Sequence, residues 1–227
     1  MPSVQDAIYS STDYHRQKHG TSLEASELII RYRTEKFAAL TGGATLDILE
    51  VGVEPGWNLA RLPAHRRVGQ DVTLEYADGL RQQGIEFVSE LRELSGQQFD
   101  VVIVSHVLEH LLEPAKMLAE IFPLLKPGGK LLVLVPLEAS VRKYSAGDKN
   151  HHLFSWSAHT LHEFLTANGY VVRSCAVKRH GYDRFAAELS IRIGGGFGVY
   201  KLLLWLLRTI RPRHEVQAVA SYKVQAP

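Results

Sequence analysis

The sequence predicts an α/β protein built on a largely parallel β-sheet, and three observations predict it. Residues 46–51 are a short, mostly apolar run that breaks into Gly52 and Gly56, as an interior strand does where it turns into a loop. Residues 99–105 are continuously apolar after Asp100, which suits a strand covered on both faces. Strand-like and helix-like segments then alternate five times before two strands close the series, giving seven strands in all.

The elements follow in order. The first twenty residues are polar, scatter Tyr9, Tyr14, His15 and His19, and show neither helical nor strand periodicity, so they suggest a lid or a loose arm. Thr21-Ser22-Leu23-Glu24 offers a capping box, and Leu28, Ile29, Tyr32, Phe37 and Leu40 make the following segment an amphipathic helix that stops at Gly42-Gly43. After the first strand a helix is expected from Asn58. A second strand ends at Asp71, and a helix runs from there to about residue 83. The third strand covers 84–88, and the fourth is 99–105. A helix over 114–125 presents Leu118, Ile121 and Leu125, is stopped by Lys126-Pro127-Gly128-Gly129, and feeds a fifth strand over 130–136. Beyond a polar segment to residue 150, the pattern gives a helix over 157–168, a sixth strand over 169–177 and a seventh over 215–224. Residues 194–213 form an apolar helical insert between the last two strands, with a narrow polar strip near Lys201 and Arg208.

Composition narrows the function. The 227 residues suit one domain over 1–227, with 1–42 as an N-terminal lid and helix. A net charge of +2, from 26 Lys and Arg against 24 Asp and Glu, argues against an extended nucleic-acid footprint. The lone Cys175 excludes an intrachain disulfide, and no signal-like or membrane-spanning run is present, so a cytoplasmic location is expected. The insert over 197–210 suits burial against the domain or against a second subunit in a homodimer, or else contact with a membrane surface.

The loop after the first strand points to a ligand. In open parallel sheets, ligands sit beyond the carboxyl ends of the strands. Its glycines fall as Gly52-x-x-x-Gly56, not as the G-x-G-x-x-G of a dinucleotide cradle, and Glu50 and Glu54 favour a ligand with positive charge. A nicotinamide-dependent oxidoreductase is therefore disfavoured. Asp71, at the end of the second strand, is placed to accept both hydroxyl hydrogens of a ribose, or else to cap the next helix.

Glu50-x-Gly52-x-x-x-Gly56, the run FDVVIVSHVLEHL over 99–111 and the run LLKPGGKLLVLVP over 124–136 together resemble class I S-adenosylmethionine-dependent methyltransferases, above all small-molecule enzymes of the quinone-biosynthesis type. The resemblance covers about residues 46–170. It implies a Rossmann-like, seven-stranded, mostly parallel sheet with helices on both faces and an antiparallel last strand. It also implies S-adenosylmethionine as cofactor: Glu50, Gly52 and Gly56 at its methionine end, Asp71 and Val72 at the ribose, Glu90 and Leu91 around adenine, and Ser105 and His106 alongside. Tyr14, His19 and His110 fall on the substrate side. His151 or His152 matches a pocket-lining stretch, where a histidine can take a proton from a hydroxyl. The family usually carries a third glycine where this chain has Glu54.

The spacing His106-x-x-Glu109-His110 would permit a divalent ion, but neighbouring Glu109 and His110 diverge on a helix and no metal is expected. The acceptor implied is a small molecule, a hydroxyl-bearing metabolite, sugar or lipid-linked precursor. A catalytically degenerate cofactor-binding subunit is the alternative that Glu54 and the apolar helix suggest.

Overall fold

The structure is a computed structural model that describes residues 21–42, 45–138 and 151–222. Tyr14, His19 and most of the polar segment before His151 lie outside the described residues. Seven strands form one sheet: β1 (Asp47–Val51), β2 (Arg66–Gln70), β3 (Glu86–Val88), β4 (Phe99–Ser105), β5 (Leu125–Leu137), β6 (Tyr170–His180) and β7 (Arg213–Tyr222). Their order is β3-β2-β1-β4-β5-β7-β6, and β7 runs antiparallel to both neighbours while the first five strands pair in parallel. This is the seven-stranded, mostly parallel sheet with an antiparallel last strand that the sequence predicts.

Helices cover both faces. On one side α3 (Pro114–Ile121) and α4 (Ala158–Ala167) bury Leu118, Ile121, Leu161 and Leu165 against Leu49, Val102, Leu131 and Val133. On the other, Phe37 of α1 (Leu23–Thr41) and Leu80 of α2 (Ala77–Gln82) pack on Ile48, Val101, Ile103 and Leu132. Strand residues thus alternate between two cores, as the two-residue pleat requires. A third cluster joins α1 to a helical pair, α5 (Asp183–Arg192) and α6 (Phe197–Ile210), through Ile29, Trp57, Ala187, Tyr200 and Leu204.

Local chemistry sets several boundaries. Ser22 caps α1 by accepting from the Ala25 amide, and Gly42 ends it with φ of 96°. The predicted Thr21–Glu24 capping box does not form. The helix expected from Asn58 is only a turn, with Leu59 and Ala60 bonded back to Gly56; Asn58 commits its side chain to Glu50, and Pro63 follows at once. The segment after Asp71 is a short 3-10 turn (Leu74–Tyr76) before α2. The insert between β6 and β7 contains two helices, and α5 is missing from the sequence reading because its ten residues carry a weak apolar face.

Candidate active site

The carboxyl ends of β1 and β4 lie side by side, with Val51 paired to Val104, and the two following loops meet there. Gly52 adopts φ of 71°, and a Cβ at this position would overlap the Val107 side chain, so the two loops touch only because residue 52 has no side chain. Gly56 has φ of 82° and faces inward, where a Cβ would lie 2.6 Å from Leu80. Its amide bonds to Val53 and that of Gly52 to Gln70, so packing and turn formation account for both glycines. Glu54, at φ of 44°, enters the left-handed region that glycine would enter without strain.

Asp71 clamps this loop. Its carboxylate accepts from the Glu54 amide and the Thr73 amide, each at 2.9 Å, and burial raises its pKa from the ordinary value against the pull of those bonds. The Thr73 side chain bonds to the same carboxylate, so Asp71 holds the loop through three hydrogen bonds. Glu50 is fully buried, and burial lifts its pKa to about 8 although the Asn58 amide donates to it. Its second oxygen, Oε2, has no hydrogen-bond donor among the described residues. Without ligand this carboxyl keeps its proton near neutral pH, and a cationic group such as the amino end of a methionine-derived cofactor would favour its ionised form. Val72 is exposed beside Asp71, Leu91 is buried, and Glu90 caps the short turn Leu91–Leu94 with its side chain paired to Arg92.

Next to this crevice, a cavity of about 260 Å³ opens between α1, the end of β4, β6, β7 and the α5–α6 pair. Ser105 and His106 form its floor, and Lys36, His180, Arg208 and Glu215 contribute to its walls. Asn58 belongs to this lining and also bonds to Glu50, so the cavity and the loop crevice share a wall.

Glu215 is the hub. It is 1% exposed, takes Lys36 Nζ at 2.6 Å, and its Oε2 faces His180 Nδ1 at 2.8 Å and His106 Nε2 at 3.3 Å. Burial alone would raise its pKa, but the two histidines and Lys36 hold it far below the usual carboxylate range. His106, at φ of 58°, has its other ring nitrogen 3.4 Å from the buried Glu109. Burial opposes its charge, yet the two carboxylates raise its pKa to about 9. His180 stacks on His106 with ring centroids 4.8 Å apart; burial lowers its pKa, and the neighbouring His106 charge adds to that. One imidazolium and one neutral imidazole therefore share a single carboxylate. The neutral ring donates from Nδ1 to Glu215, which leaves Nε2 as a proton acceptor.

A second acid–histidine group adjoins the first. Glu109 lies 3.9 Å from His110 Nε2, the His110 and His152 rings meet edge to face at 4.8 Å, and His152 Nδ1 bonds to Glu138 at 2.8 Å. The Leu153 amide donates to the Glu109 carbonyl at 2.7 Å, fastening the His151–His152 loop to the segment after β4. His106, His180 and Glu215 have spacing that would admit an ion, as do Glu109, His110 and His152. In the first group Glu215 already meets Lys36 on one oxygen and both histidine nitrogens on the other, so its charge is balanced by side chains of the protein.

Ser105 and His106, expected from the sequence beside the cofactor, line this cavity, and Lys36, His180 and Glu215, which line it with them, were not singled out from the sequence. Lys36, His180 and Glu215 lie on three separate elements, and each looks ordinary in its own segment. Only the insertion of β7 between β5 and β6 brings them together.

The sheet order and the loop crevice define a class I methyltransferase fold. The family model described as "Methyltransferase domain" matches residues 22–174, and the chain belongs to that family. This agrees with the resemblance to S-adenosylmethionine-dependent methyltransferases read from residues 46–170. Among solved structures, the Burkholderia thailandensis 1,6-didemethyltoxoflavin-N1-methyltransferase, with 1,6-didemethyltoxoflavin and S-adenosylhomocysteine bound, is 20% identical, covers 96% of this chain and 88% of its own, and has a TM-score of 0.63. The N-methyltransferase NodS from Bradyrhizobium japonicum WM9, in complex with S-adenosylhomocysteine, is 14% identical over 86% of this chain and 87% of its own, with a TM-score of 0.57. The [4+2]-cyclase SpnF is 22% identical over 84% and 82%, with a TM-score of 0.58. No curated protein matches the chain in sequence.

Proposed function

We propose that this methyltransferase moves the methyl group of S-adenosylmethionine to a hydroxyl oxygen of a small metabolite, sugar or lipid-linked precursor bound in the cavity floored by Ser105 and His106. The observation that carries this reading is the shared wall at Asn58: a crevice suited to a cationic cofactor abuts a cavity holding a carboxylate-backed imidazole. When bound, the cofactor supplies an electrophilic methyl group.

The chain's own residues bind and position. Glu50 holds the methionine end through its undonated oxygen, while Gly52 and Gly56 shape the loop around it. Asp71 and Val72 face the ribose, Glu90 and Leu91 flank adenine, and His106 borders both ligands. Holding donor and acceptor in line and excluding water supplies most of the rate gain.

A proton leaves the acceptor hydroxyl as the oxygen is methylated. His152, braced by Glu138, and His180, braced by Glu215, are both arranged to take one. His180 lines the cavity and is the better assignment, whereas His110, His151 and His152 are not among its lining residues. Residues 197–210 serve as a contact surface for a second subunit or a membrane.

Calorimetric titration with S-adenosylmethionine, S-adenosylhomocysteine and NAD tests the cofactor. Binding of the first two but not NAD, weakened at least tenfold by Asp71→Ala, is the expected result. Methyl transfer from labelled cofactor to a panel of hydroxylated metabolites then tests the acceptor. The SpnF fold serves a cyclase, so cofactor binding with no turnover across that panel would favour the degenerate-subunit reading.

A further inference from the structure

Helix α6 has two unlike faces. Tyr200, Leu204 and Arg208 are buried against the protein, with Arg208 bonded to Tyr32 and Asp183. The opposite face leaves Leu202, Trp205, Leu206 and Ile210 exposed by 54, 61, 38 and 80%. These positions recur at helical spacing and make one apolar strip. The sequence expectation that the domain would bury this helix thus holds for one stripe of it only.

Charge decides what covers the strip. Residues 197–214 contain no Asp or Glu. Lys201 is paired with Glu35, but Arg211 and Arg213 at the end of the helix, and Arg179 bonded to Thr209 on it, have no carboxylate partner among the described residues. In a two-fold dimer through this face, Arg211 and Arg213 would meet no acid on the partner's helix, because residues 197–214 contain none. An anionic bilayer complements the arginines instead, and an exposed tryptophan beside leucine and isoleucine suits the headgroup boundary.

We propose that α6 docks flat on an anionic lipid surface, seating Trp205, Leu206 and Ile210 among the acyl-chain ends while Arg179, Arg211 and Arg213 meet the lipid phosphates. Arg208, on the inner face of the same helix, lines the candidate acceptor cavity, so docking sets that cavity about one helix diameter, roughly 10 Å, from the lipid. The proposal does not depend on methyl transfer.

The test is co-sedimentation of the full chain with vesicles of phosphatidylcholine alone and of phosphatidylcholine mixed equally with phosphatidylglycerol. Three unpaired arginines predict partitioning about a hundredfold stronger onto the anionic vesicles, and weaker binding at high salt. The double substitution Trp205→Glu with Ile210→Glu should cut binding at least tenfold, while thermal melting and S-adenosylhomocysteine titration show that the protein remains folded. No binding by the unaltered chain, equal binding to both vesicle types, or a dimer in light scattering that the same double substitution dissolves would each overturn the proposal.

Discussion

Glu50 stores a proton that the unfolded chain would release. Its pKa is about 8 in the fold against an ordinary value of 4.5, so between those values the folded protein holds a proton that the unfolded chain has lost. Stability without ligand should therefore fall as pH rises through that window and level off above it. Glu50→Gln should flatten that decline, read as melting temperature against pH, and also weaken S-adenosylmethionine binding at least tenfold. Glu215 has the opposite sign. Its pKa is depressed, so its contribution is present above the ordinary carboxylate range and lost as pH falls toward the depressed value. It also sustains the charge on His106. In Glu215→Gln the His106 titration, followed by NMR, should drop from about 9 by more than one unit, because one of its two carboxylates is gone.

The loop after β1 depends on what Gly52 lacks. Gly52→Ala would drive a methyl group into Val107 at a positive φ, and we expect a loss of about 1–3 kcal/mol in denaturant unfolding together with loss of cofactor binding. Between α3 and β6, the Tyr170 hydroxyl donates to the Leu118 carbonyl at 2.7 Å, and Tyr170→Phe should cost about 1 kcal/mol in the same assay. The strands were legible because fully buried parallel strands are apolar runs and their punctuation is glycine and proline. The turn at Asn58 was not legible: its sequence suits a helix start, and a tertiary bond to buried Glu50 overrides that local preference. Helix α5 escaped for the converse reason, since Ala186, Ala187 and Ser190 bury too little apolar surface to mark a periodic face.

Across the molecule, the crevice proposed for the cofactor and the cavity proposed for the acceptor differ in how they are encoded. Glu50, Gly52, Asp71 and Glu90 occur in one stretch of the chain, where spacing alone suggests a site. Lys36, His106, His180 and Glu215 converge only because β7 threads antiparallel between β5 and β6 and carries Glu215 to the carboxyl end of β5, opposite Pro136 and beside α1. Charge pairing across such separations leaves no local pattern to read. Among the described residues no helix is long and apolar enough to cross a membrane.

The late position of β7 also imposes an order of events during synthesis. A ribosome that has released residues 45–110 has delivered Glu50, Gly52, Asp71 and Glu90, but the cavity still lacks the carboxylate that Lys36, His106 and His180 share. Until β7 inserts, those three basic side chains have no common counter-charge, and β5 and β6 each present an unpaired edge to the surroundings. The half-made chain is therefore both electrostatically frustrated and open to pairing with strands of other chains. Insertion of β7 supplies that counter-charge and pairs the open edge of β5 in a single step, leaving β6 as the edge strand of the finished sheet.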